Sequence, residues 1–153
     1  MNKTVVITKM PKLSGKESTP DGALCGNGDI GIVLGNAENG LRIYVAKNDM
    51  WLFCENGRLP GGIKPIGYID IEVPQELYKN YYAEQRMDCG EIFCSFKEGG
   101  RFLNITAAVS AVSNFILLKI ECSDAALMRA EPNYVPFTKY SVIQNIEKAD
   151  YFG

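Results

Sequence analysis

Hydrophobic and polar positions alternate through most of residues 1–122, the period-two signature of strands with one face buried. Thr4 to Thr8 (TVVIT) is a short β-branched run that Pro11 ends. Lys12 to Gly22 is polar and rich in Gly, Ser, Thr and Pro, which predicts a loop. Ile30 to Leu34 reads as a strand, and the turn cluster Gly35 to Gly40 joins it to Leu41 to Ala46 (LRIYVA) as a hairpin. Within that partner, Leu41, Ile43 and Val45 share one face, and Arg42 and Tyr44 the other. Lys47 to Trp51 then interrupts the alternation with polar groups and the only tryptophan, and Glu55 to Pro65 is a Gly/Pro-rich loop. Ile66 to Val73 resumes the pattern, with Ile69, Ile71 and Val73 inward and Tyr68, Asp70 and Glu72 outward, until Pro74.

Tyr81 to Met87 and Glu91 to Lys97 form a second hairpin about Asp88-Cys89-Gly90. Glu98-Gly99-Gly100 turns the chain into Arg101 to Ser110, and Phe115 to Cys122 (FILLKIEC) is an apolar run suited to a central strand. About eight short strands with Gly-rich turns predict an all-β fold, an antiparallel β-sandwich over residues 1–122. Beyond Cys122 the character changes. Asp124 to Glu131 suits one or two helical turns, and Pro132 and Pro136 impose an extended or irregular path. Val142, Ile143, Ile146 and Ala149 recur at helical spacing, so Ser141 to Asp150 is expected as a short amphipathic helix. The tail 123–153 is expected to be otherwise irregular and packed on the sandwich or on a partner.

Composition narrows the function. A net charge of −2 offers no electrostatic attraction to nucleic acid or anionic membrane, and no run approaches the ~18 apolar residues of a spanning helix. Val5-Val6-Ile7 is too short for the apolar core of a signal peptide, so the chain is expected to be cytoplasmic. Cys25, Cys54, Cys89, Cys94 and Cys122 include no C-x-x-C pair, and with no histidine in the chain a metal site is not expected. Zero histidine also removes the commonest general base.

Gly26-Asn27-Gly28-Asp29-Ile30-Gly31 satisfies G-x-G-x-x-G, a pattern that binds pyrophosphate only where it opens a helix. The β-branched run after it predicts a strand, so no nucleotide or other cofactor is expected. The same six residues, followed by Tyr44-Val45-Ala46-Lys47-Asn48-Asp49-Met50-Trp51, resemble the opening of the N-terminal β-sandwich domain of bacterial glycoside hydrolases. The nearest group is the α-L-fucosidase-like enzymes of glycoside hydrolase family 95. There a GNG-x-(I/L)-G turn precedes a strand and an (N/K)-x-D-x-W segment closes the next. Gly67-Tyr68-Ile69-Asp70-Ile71, Tyr82-Ala83-Glu84-Gln85 and Leu103 to Cys122 extend the resemblance, which covers Pro20 to Cys122. It implies a supersandwich-like domain that is incomplete here, followed in the family by a linker and a catalytic (α/α)6 barrel. On that resemblance the chain is the front part of such a protein, or a stand-alone relative.

Asn48, Asp49 and Trp51 are the leading carbohydrate-facing candidates, because a sugar needs amide or carboxylate partners for its hydroxyls and an aromatic face for its C–H groups. Asn27 and Asp29 join them from the glycine turn. The plainer reading is that Trp51 packs in the core and that Asn27, Asp29 and Asp49 hold their own turns. Tyr78, Tyr81 and Tyr82 raise the question of an aromatic platform, against ordinary half-buried tyrosines. Nothing in the spacing of Asp29, Asp49, Asp70, Glu72, Glu84 and Asp88 selects the pair of carboxyls that a glycosidase requires. No catalytic residue is therefore assigned. The chain is expected to be a non-catalytic domain that scaffolds, or lends a loop to, a carbohydrate site. The rival reading is a free-standing carbohydrate- or protein-binding sandwich that assembles through strand edges, and Phe115 to Leu118 favours a homodimer.

Overall fold

The computed structural model describes residues 3–11, 22–52, 62–125 and 129–134. They form β1 (Thr4–Ile7), β2 (Leu24–Gly26), β3 (Ile30–Ala37), β4 (Gly40–Leu52), β5 (Gly62–Glu72), a 3-10 helix (Gln75–Asn80), β6 (Tyr81–Arg86), β7 (Glu91–Glu98), β8 (Arg101–Val109), β9 (Ile116–Cys122) and β10 (Ala130–Tyr134). Two five-stranded sheets result, in the orders β1-β6-β7-β8-β9 and β10-β5-β4-β3-β2. Every ladder is antiparallel, so the fold is the all-β sandwich that the alternation predicts.

The core lies between the sheets and is built by alternation. Ile32, Leu34, Leu41, Ile43 and Ile71 project from one sheet, and Ala83, Ile92, Cys94, Phe96, Leu103 and Ile105 from the other. Leu77 of the 3-10 helix is also fully buried and packs into this core. Arg42, Tyr44, Tyr68 and Asp70 take the outer face, where Arg42 pairs with Asp70 through two 2.7 Å bonds and lies 3.8 Å over the Tyr68 ring. The guanidinium pKa is raised, first by those bonds to Asp70.

Several elements depart from expectation. Strand β4 continues through Lys47 to Trp51 instead of ending at Ala46, with Ala46 opposite Pro65 and Trp51 opposite Ile63. Lys47 to Met50 therefore bulge out against the single residue Lys64, and Pro65 is tolerated because the ladder is already broken there. Strand β10 takes the extended of the two paths expected at Pro132, and its first residues, Ala130 and Glu131, are strand where helical turns were expected. Pro132 reads as a breaker, yet on the outermost strand among the described residues its missing N–H faces away from β5 and interrupts no described ladder bond. The apolar run expected to make a central strand becomes β9, at the edge of its sheet among the described residues. Its inner residues Ile116, Leu118, Ile120 and Cys122 are half-buried, while Leu117 stays 61% exposed. The expected helix Ser141 to Asp150 lies outside the described residues.

Candidate functional site

Asn27 stands at the turn between β2 and β3. A Cβ on Gly26 would sit 2.6 Å from the Ile30 carbonyl oxygen, and Gly28 has φ +91°, so this turn closes only over glycines. The Asn27 side-chain oxygen accepts the main-chain N–H groups of Asp29 (2.9 Å) and Ile30 (2.8 Å). Its amide nitrogen donates across the sandwich to the Ser110 carbonyl at 2.8 Å and the Ser113 carbonyl at 3.4 Å. One side chain thus shapes its own turn and ties it to the β8–β9 loop of the other sheet.

Asp29 extends the tie. One carboxylate oxygen accepts from Lys47 Nζ at 3.1 Å and the other from the Asn114 amide at 2.7 Å. Lys47 also donates to Asp49 at 2.6 Å, so a single ammonium bridges Asp29 and Asp49. The Asn48 N–H donates to the Asp29 carbonyl, and the Asn48 amide to the Gly28 carbonyl, both at 2.8 Å. The fold therefore gathers Asn27, Asp29, Asn48 and Asp49 at one end of the sandwich. Trp51 enters only through its main chain, paired with Ile63, and its side chain lies outside what the structure describes. Lys47, Ser110 and Asn114 complete the cluster. Lys47 lies within the motif stretch, but Asn114 is 85 residues from Asp29 and no sequence signal links the two.

The electrostatics are those of an ionised cluster. The Lys47 hydrogen bond, and then the Asn114 amide, hold Asp29 below the ordinary carboxylate range. The bond to Asp49, and then that to Asp29, raise Lys47. Asp29 and Asp49 lie near enough to share one cation, as Glu84 and Glu91 do about Arg86 and Glu72 and Glu131 about Arg129. A glycosidic acid must instead keep its proton near neutral pH, which requires a raised pKa. Asp70 and Glu84 are engaged elsewhere, by Arg42 and Arg86 on opposite outer faces. Asp49, with 63% of its side chain exposed, Asn48 and Asn114 are the exposed members of the cluster.

The tyrosine platform does not form. Tyr81 turns inward with its ring 5.4 Å from Phe96, and Tyr78 packs 6.4 Å from the same ring. Burial pushes the Tyr78 phenol up. Tyr82 faces outward and donates to Glu84 at 2.6 Å. Alternation separates neighbours in a strand, so adjacent tyrosines do not make one surface. The glycine motif opens strand β3, so it lacks the helix N-terminus on which pyrophosphate binding depends. A separate open groove of about 570 Å³ follows the β7–β8 hairpin, lined by Asn80, Lys97, Glu98, Arg101, Phe102 and Asn104. None of the predicted site residues reaches it.

Among the described residues no three Cys, Asp or Glu side chains converge as a metal site, and no helix is long and apolar enough to cross a membrane. Comparison with protein-family models, with curated proteins and with solved structures finds no match, so the resemblance to family 95 rests on the motif residues alone.

Proposed function

We propose that this chain is a non-catalytic β-sandwich domain of the glycoside-hydrolase type, whose cluster of Asn48, Asp49 and their neighbours serves a carbohydrate site. The observation that carries the reading is the Lys47 bridge. It ties Asp29 and Asp49 to one ammonium and holds the Asp29 carboxyl low, which works against a general-acid role there. It leaves Asp49 and the Asn48 amide group in the open as hydroxyl partners. The motif resemblance supplies the substrate class, and Trp51 the expected aromatic face.

Titration calorimetry and NMR with a panel of mono- and oligosaccharides test the binding. Saturable binding is expected for at least one sugar, weakened about tenfold by Asp49→Ala, the loss of one charge-assisted hydrogen bond. No binding across the panel would remove the carbohydrate role. Nitrophenyl glycosides test the other half. Turnover above buffer that is lost on substitution of one Asp or Glu would make the chain an enzyme.

A further inference from the structure

Four strand edges bound the two sheets among the described residues, and they are not alike. Strand β1 has four residues, β2 has three, and β10 carries Pro132. Short strands and proline are ordinary protections against edge pairing. Strand β9 has neither: it runs seven residues, ILLKIEC, with no Pro, no Gly and no register break against β8. Its surroundings are apolar as well, with Phe115 69%, Leu117 61% and Val112 94% exposed.

The hydrogen-bond parity of β9 follows from its two ends. Ser110 N–H donates to the Phe115 carbonyl at 2.9 Å, and Ser123 N–H donates to the Phe102 carbonyl at 3.0 Å. Bonded pairs recur at every second residue of an antiparallel ladder. Leu117, Lys119 and Glu121 therefore spend their main-chain groups on β8. Ile116, Leu118, Ile120 and Cys122 direct theirs to the edge that no other described strand covers.

A second copy that pairs antiparallel with this edge must place residues of that second set opposite one another, which leaves few registers. Centring the two-fold axis on Lys119 puts like charges face to face, and centring it on Glu121 does the same. Centring it on Ile120 sets Lys119 opposite Glu121 of the copy and Glu121 opposite its Lys119, at the close spacing of non-bonded pairs. The same register places Leu118 opposite Cys122, which extends the half-buried inner row without a polar interruption. The two charges that would repel other chains are thus self-complementary.

We propose that β9 is a homodimerisation edge, joining two copies through about six main-chain hydrogen bonds about a two-fold axis at Ile120 into one ten-stranded sheet. This inference stands independently of the carbohydrate reading, because the cluster around Lys47 takes no part in it. Lys119 and Glu121 pair with each other at 3.0 Å within the strand, with side chains 67% and 51% exposed, so their replacement costs the monomer one exposed ion pair and leaves its fold in place.

Sedimentation velocity from low micromolar to near-millimolar protein is the test, with circular dichroism to verify folding of each variant. The wild-type chain is expected to move from a 16.9 kDa species to its dimer as concentration rises. Lys119→Glu and Glu121→Lys, each of which sets like charges opposite one another twice, are expected to weaken dimerisation on the order of tenfold. The double exchange restores both pairs and is expected to return the wild-type constant within about twofold. A single 16.9 kDa species at every concentration overturns the proposal. So does a dimer indifferent to both charge reversals, since its interface would lie elsewhere.

Discussion

Lys47 shows how one residue decides the character of the candidate site. Its ammonium pairs with Asp29 and Asp49 together, and the bond to Asp29 holds that carboxyl below the ordinary carboxylate range. The sign of the resulting pH dependence follows from the two shifts. Asp29 is held low, so its contribution is complete above the ordinary carboxylate pKa and is lost as pH falls through its folded-state value. Lys47 is raised, so its contribution is complete below the ordinary lysine pKa and is lost as pH rises through its folded-state value. Both terms are present across neutral pH. Urea unfolding at a series of pH values checks this, with Asp29→Asn as the comparison. The wild-type midpoint is expected to fall more than the variant's as pH is lowered below about 4. Parallel curves would mean that the bridge contributes no stability.

Between elements, Asn27 acts as a clasp. Its carboxamide closes the β2–β3 turn and reaches the β8–β9 loop, joining the two sheets at the end where Asp29 and Asn114 also meet. Asn27→Ala removes the acceptor of two main-chain N–H groups and the donor of a cross-sheet bond in a half-buried place. The expected loss is about 2–3 kcal/mol, against less than about 1 kcal/mol for Asn48→Ala, whose amide group is exposed. Chemical unfolding of the two variants measures the difference. Equal effects would show that the inter-sheet tie adds nothing beyond the turn.

Across the whole molecule, the sandwich core sets which groups chemistry can reach. Cys94 is 1% exposed beneath both sheets, and burial pushes its thiol far up, whereas Cys89 sits exposed in the β6–β7 turn. A soluble thiol reagent is expected to modify Cys89 at least about a hundredfold faster than Cys94, which reacts only when the sandwich opens. Peptide mapping by mass spectrometry after brief and long exposure reads both sites. Comparable rates would mean that the sheets part locally far more often than a packed core allows.

Period-two alternation alone determined the architecture. Leu41, Ile43 and Val45 face inward against Arg42 and Tyr44, as Ile69, Ile71 and Val73 do against Tyr68 and Asp70, because successive strand side chains must point to opposite faces. The β-branched run after Gly31 likewise decided that the glycine motif opens a strand. The strand order, the neighbours of each edge and the clasp were decided only in three dimensions. The apolar run of β9 reads as a strand with two covered faces, but whether a neighbour lies beside it depends on residues far along the chain. Strand β10 escaped notice because proline is excluded from a continuous inner ladder and is admitted here only by the edge position. Asn27, Asp29, Asn48 and Asp49 were legible as candidates from their place in the motif. Their union through Lys47, Ser110 and Asn114 was not, because hydrogen bonds spanning more than 80 residues leave no local periodicity to read.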